Sequence, residues 1–516
     1  MSTQSLIGSS QTLDPHLRAI CDLSVPAVRQ DAGRHEYDGL VQDLSPTGIK
    51  TGLRALESAT AGPYRDPYDE ALSTAAARAL RVRFGELELH RVNPLVHIEN
   101  LGVSCYLRPY AAEGERRAAR LQHLRRWPDA VAGAIESLDR VPALVARGTL
   151  PLARQLRSDL VGVDEEVSGP SGQALDRLVA HLEGTAIRGD PSAALGTSIL
   201  GRLLSASESA EVDVEALWRD ADAERQRMRA LLDEACQRID PTASTAQTVA
   251  ALQADHPRAD GLLAEATELT AEVIAWTAER DLVPHGDGEC LVERMPGSLS
   301  GPAAMISAAP YELDAPASFY VNPPDPAWTE HEQEQWLRVY FNRAFLPAIV
   351  VHEVAPGHFS HGRALRRSPG DVRRTLLFDS FAEGWAVYCE ELALEEGFRA
   401  GDPRFAAGVA LSALERAVRM LCVIGLHAGA MAEREVDLTF RQEAFFDGPA
   451  ARAAVQRCYY VPTWIRYTWG KLAIRDLRAR AQAAWGPAFS LQRFHTALLD
   501  LGSPPLGLLG TAVERG

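Results

Sequence analysis

With 516 residues, 46% of them hydrophobic and 24% charged, the chain has the composition of a globular protein that can bury one large core or two to three ordinary ones. Its formal charge of −16 opposes nucleic acid and anionic membrane as partners, since both demand positive surface. Seven scattered cysteines without a C-x-x-C pair exclude a disulfide framework or a cysteine zinc site and read as reduced thiols. No basic-plus-apolar leader opens the sequence, and no apolar run reaches the roughly 20 residues that span a bilayer, so the expected location is cytoplasmic.

Helices are expected to dominate as far as residue 280. Apolar residues recur three or four apart over 71–84 and 216–239, in a background rich in Ala, Leu, Arg and Glu. Asp129 follows a Trp-Pro break and starts a helix, while Asp240-Pro241 ends the long run before it. Residues 162–172 and 185–191 read as loops from their Gly, Ser, Asp and Pro content. The stretch 281–328 is rich in Gly and Pro, and Ser-Phe-Tyr-Val-Asn at 318–322 is its best strand candidate. Such a strand either packs under a loop or offers an edge on which an extended peptide can pair. Helix returns at Glu330 and is expected to continue through the His-Glu pair at 352–353. Further helices follow from Asp379 to the terminating Gly397, and over 411–431, 447–459 and 467–484. The fold class is therefore mainly α with one small β element. A helical lobe at 1–280 would face a lobe at 281–516 that carries the chemistry, the two forming one continuous unit.

The chemistry concentrates in V-V-H-E-V-A-P-G-H-F-S-H at 350–361, which holds three of the fourteen histidines. Imidazole is a common zinc ligand, and a neighbouring carboxylate, here Glu353, can act as general base on activated water. Two histidines six residues apart would point roughly 120° away from each other on an unbroken helix. His352 and His358 can therefore share a metal only if the helix stops at Pro356-Gly357. A residue before proline is pushed out of helical dihedrals, so the helix should fail near Ala355. Gly357 should then take a backbone conformation closed to other residues and swing His358 back. His361 is the rival ligand.

H-E-x-x-P-G-H, followed by F-A-E-G-W-A-V-Y at 381–388, resembles the DUF885 family of predicted zinc metallopeptidases. That family is similar in turn to helical gluzincin peptidases such as the carboxypeptidase Taq group and the oligopeptidases. Y-D-G-L-V-Q-D-L-S-P-T-G-I at 37–49, S-F-Y-V-N at 318–322, G-L-H at 425–427 and Y-T-W-G at 467–470 also resemble family positions, so the likeness covers nearly the whole chain. It implies a Zn2+ cofactor held by His352, His358 and Glu383, with Gly384 leaving room for close helix packing. It also implies Glu353 as general base and Tyr467 and His427 as oxyanion donors. Glu390 and Glu391 read as carboxylates behind the ligands or on the surface, one of them placed to orient a ligand histidine. Arg419, Arg457 and Arg466 are either solvated helix faces or a grip for a terminal carboxylate, as a carboxypeptidase requires. The expected activity is zinc-dependent hydrolysis of short peptides. A metal-free binding protein of the same fold and a hydrolase of non-peptide amides stand as alternatives.

Overall fold

Buried stripes recurring every three to four residues make helices of most of the chain, in a computed structural model that describes residues 13–284, 286–296, 299 and 301–516. The mainly α class with one small sheet is borne out. Helix Pro67–Leu80 runs into a π-helical turn at Arg81–Glu86, and helix Trp127–Ser137 begins at the Trp-Pro pair. The long helix α1 (Val214–Ile239) starts where the Asp213 carboxylate accepts from the N–H groups of Glu215 and Ala216, and buries Leu217, Ala221, Met228 and Leu232.

The loops expected at 162–172 and 185–191 are mostly helix. Glu165–Arg188 begins in the first and ends in the second, with Pro170 inside it. Its Val167, Ala174, Leu175, Leu178 and Leu182 are buried against helices Trp127–Ser137 and Ala143–Gln155. Burying five apolar side chains outweighs the helix-weakening effect of Ser168, Gly169 and Pro170. The chain leaves the helix only at Gly189.

The sheet has the order β1-β3-β2, with β1 Cys290–Arg294, β2 Ala303–Ile306 and β3 Ala317–Val321. β3 is the strand expected at 318–322, but it is the central one. It pairs parallel with β1, Phe319 opposite Val292, and antiparallel with β2, Phe319 opposite Met305. β2 is therefore an outer strand, as is β1, and its sequence (Ala-Ala-Met-Ile) carries too little β-branched content to announce it.

The helix expected to run unbroken from Glu330 is two helices, Glu330–Tyr340 and α2 (Leu346–Glu353). Asn342 makes the break: its Nδ2 donates to the Arg338 carbonyl at 2.8 Å and its Oδ1 accepts from the Phe345 N–H at 2.9 Å. One side chain thus closes the first helix and starts the second. There follow α3 (His358–Leu365), α4 (Asp379–Glu395), α5 (Pro403–His427), α6 (Gly448–Tyr460) and α7 (Arg466–Trp485). α5 starts earlier than the pattern at 411–431 suggests, capped by the Asp402 side chain, and stops at His427. α1 lies along α5, α4 lies along α7, and α2 packs on both α4 and α5. A single apolar core runs through the N-terminal and C-terminal halves alike. All seven cysteines are free thiols.

Candidate metal centre

α2 ends at Glu353, and Val354–Gly357 make a tight turn before α3 begins at His358. The helix thus fails where the proline rule places the failure; the Ala355–Pro356 peptide is cis. Gly357 takes the expected conformation closed to other residues, with φ −69° and ψ −134°. Glycine is also required there because a Cβ would lie 1.9 Å from the His352 carbonyl oxygen and 2.5 Å from that of Val351. The chain doubles back so closely on the end of α2 that no side chain fits. Trp385 of the E-G-W-A motif pins the turn from α4, its Nε1 donating to the Pro356 carbonyl at 2.9 Å. The fold-back sets the His352 and His358 rings 4.8 Å apart and nearly perpendicular.

Glu383 enters between them from α4. Its Oε2 lies 3.5 Å from His352 Nε2 and 3.3 Å from His358 Nε2, and one ligand atom from each of the three residues falls within 4.8 Å of the others. The other ring nitrogen of His352, Nδ1, is 2.8 Å from Glu390 Oε1, which fixes the ring with Nε2 toward Glu383. Glu390 is held in turn by Arg416 at 3.3 Å, and Arg416 also donates to the Ser412 carbonyl at 2.9 Å. Glu391 plays no part here; it pairs with Arg227 and Lys471 beside Glu224. Burial and Arg416 both oppose a charge on His352, yet the Glu383 and Glu390 carboxylates outweigh them and lift its pKa to about 9. Burial alone would raise Glu383, but its two histidine partners hold it well below the usual carboxylate range. The cluster is arranged to hold positive charge.

Glu353, next to His352, reaches the sheet: its Oε2 accepts from the Met305 N–H of β2 at 2.7 Å. This outer strand is thereby set against the cluster. Tyr467 arrives through a glycine contact between α4 and α7. A Cβ on Gly384 would lie 2.4 Å from the Gly470 Cα, so the helices meet backbone to backbone. Glu383 precedes the first of these glycines, and Tyr467 lies almost one turn before the second. The Tyr467 ring is stacked 6.3 Å from that of His352, at 14° between planes. Burial, with Glu383 nearby, raises the Tyr467 pKa and keeps the hydroxyl protonated.

Two other histidines are placed elsewhere. His427 is not with the cluster, against expectation: its Nδ1 faces the Ala193 carbonyl at 3.1 Å and its Nε2 the Cys458 carbonyl at 2.8 Å. With both ring nitrogens engaged and burial pushing its pKa down to about 4, it ties the end of α5 to neighbouring backbone. His361 is buried against Phe381, its Nε2 at 3.1 Å from the Gly502 carbonyl. Of the three arginines considered, Arg419 is bound by both oxygens of Glu415, at 2.6 and 2.7 Å. Arg466 pairs with Asp379 at 2.6 Å. Arg416, which sequence reasoning missed, is the one that reaches the histidine–carboxylate pair, and nothing in its helical spacing set it apart from Arg419.

Residues 26–513 match the family described as "Bacterial protein of unknown function (DUF885)". The chain belongs to the DUF885 family. No curated protein matches it. Two solved structures are similar to this DUF885 chain along nearly their whole lengths. One, described as "a putative lipoprotein of unknown function" from Shewanella oneidensis, is 18% identical with a TM-score of 0.74, covering 97% of this chain and 98% of its own. The other, described as "the putative lipoprotein" from Colwellia psychrerythraea, is 16% identical with a TM-score of 0.73, covering 97% of each chain. At such identity the likeness shows the fold. The expected cytoplasmic location is not borne out, since both of these fold-mates are described as putative lipoproteins. Among the described residues no helix is long and apolar enough to cross a membrane.

Proposed function

We propose that this DUF885 protein is a zinc-dependent hydrolase of short peptides. The observation that carries the reading is the convergence of His352, His358 and Glu383 within 4.8 Å, built by a turn that only glycine permits. Two imidazoles and a carboxylate form a donor set that zinc accepts, and Glu390 fixes the His352 ring in the orientation a ligand needs. Zinc bound there would supply a Lewis acid that polarises a scissile carbonyl and acidifies water. The protein's own groups do the rest. Glu353 takes the proton of the attacking water and returns it to the leaving amine. The Tyr467 hydroxyl, kept protonated, donates to the oxygen on which negative charge develops. The outer edge of β2, beside Glu353, offers main-chain groups to an extended substrate, which supports a peptide over other amides.

Protein purified without chelator should contain one equivalent of zinc, and a chelator should abolish hydrolysis of a short-peptide library until zinc is restored. A metal-free sample that also takes up no added zinc sinks the reading. Glu390→Gln should weaken zinc affinity by about 10- to 100-fold, as loss of a ligand-orienting partner does, with helical content unchanged. Competition against a zinc-binding dye measures this, and an affinity equal to wild type removes Glu390 from the site.

A further inference from the structure

Four arginines gather about Tyr467 and Trp464. The guanidinium carbons of Arg419, Arg416 and Arg466 lie 4.6, 5.7 and 5.9 Å from the centre of its ring, and those of Arg419 and Arg457 lie 3.9 and 4.8 Å from that of Trp464. Three of the charges are matched: Arg416 by Glu390, Arg419 by Glu415 and Arg466 by Asp379. Arg457, on α6, makes no ion pair among the described residues and only stacks on Trp464. The Nε of Arg466 is buried and has no hydrogen-bond partner. A guanidinium held in no ion pair and a buried N–H without an acceptor are both free to bind an anion.

Asp31 and Glu99, from the N-terminal half, are accessible to water, yet protein surrounds them closely enough that desolvation pushes Asp31 up to about 7 and raises Glu99 as well. Glu99 lies within electrostatic reach of Asp379, Arg466 and Arg457, and Asp31 within reach of Asp379 and Arg466. Carboxylates of the N-terminal half thus lie near Arg457 and Arg466, and the Tyr467 ring, stacked on that of His352, connects these arginines to the histidine cluster.

We infer that Arg457, helped by the free Nε of Arg466, binds a carboxylate of the substrate, so that short peptides lie along Tyr467 with an anionic end on Arg457 and a peptide bond at the histidine–glutamate cluster. The inference rests on the proposed peptidase reading for its substrate class. A carboxylate matches the guanidinium fork in two parallel hydrogen bonds, which a neutral amide cannot do. Two sources of carboxylate fit: the C-terminus of the peptide and an acidic side chain near that end.

Equilibrium binding to zinc-loaded Glu353→Gln protein, in which turnover is suppressed, separates them. The probes are N-acetyl-Ala-Ala-Ala, its C-terminal amide, and N-acetyl-Ala-Ala-Glu amide, measured by titration calorimetry. The acid should bind roughly 10- to 100-fold more tightly than its amide, the worth of a hydrogen-bonded charge, and Arg457→Gln should erase the difference while Arg457→Lys restores part of it. Tight binding of the glutamate amide as well assigns the subsite to carboxylates of either source. Equal affinity for all three probes in the Arg457-containing protein overturns the inference without any further variant, and so does a preference that survives Arg457→Gln. Loss of the preference with an unchanged thermal midpoint separates binding from folding. An acid preference in a protein that hydrolyses no peptide keeps the subsite and rejects the hydrolase; hydrolysis without the preference does the reverse.

Discussion

Glu353→Gln should keep its zinc and lose about two to four orders of magnitude in turnover, the usual worth of a general base. Glu353 is not among the three residues whose donor atoms converge, so removing its charge leaves the ligand set of His352, His358 and Glu383 complete. The substitution is also gentle on the fold. The glutamine carbonyl oxygen can still accept the Met305 N–H that now reaches Glu353 Oε2 at 2.7 Å, so β2 stays in place. What is lost is the ability to take up a proton. Steady-state kinetics with parallel zinc analysis measures both halves of the expectation. Near-normal turnover would reduce Glu353 to an anchor for β2, and loss of zinc would make it part of the metal site instead.

What was legible in the sequence followed from local rules, and what was not depended on contacts between distant segments. The break after Glu353 could be read because Pro356 acts on the residue before it whatever surrounds it. The second reason for Gly357 could not, because it lies in the carbonyl oxygens of Val351 and His352, which approach only after the chain has doubled back. α6 and α7 fell within one residue of their expected ends, since their buried residues recur with helical spacing. Glu165–Arg188 was missed because its Gly, Ser and Pro signal a loop locally, while the apolar face that overrides them acts through neighbouring helices. His427 and His352 look alike as sequence. Only folding gives one ring two carbonyls and the other two carboxylates. Arg416 and Arg419 sit on one helix three residues apart, and which of them meets Glu390 depends on how α5 packs against α2 and α4.

Tyr467→Phe should lower kcat by about 10²- to 10³-fold, the cost of losing one oxyanion donor, with KM and zinc content little changed. Phenylalanine keeps the ring, so the stack on His352 at 6.3 Å and the contacts with Arg416, Arg419 and Arg466 survive the substitution. The variant therefore reads the hydroxyl alone. Burial and the nearby Glu383 raise the pKa of that hydroxyl above its ordinary value near 10, so it is a donor throughout the neutral range and its contribution should not titrate there. The glycine contact between Gly384 and Gly470 holds it at its post. A donor fixed on the scaffold need not reorganise as charge develops on the substrate, which is why a single hydroxyl can be worth so much. The loss should appear in kcat, because the oxygen it serves carries little charge in the bound substrate and gains it only on attack. A fall confined to KM would move the hydroxyl from the reacting oxygen to substrate binding, and an unchanged rate would return Tyr467 to the packing between α4 and α7.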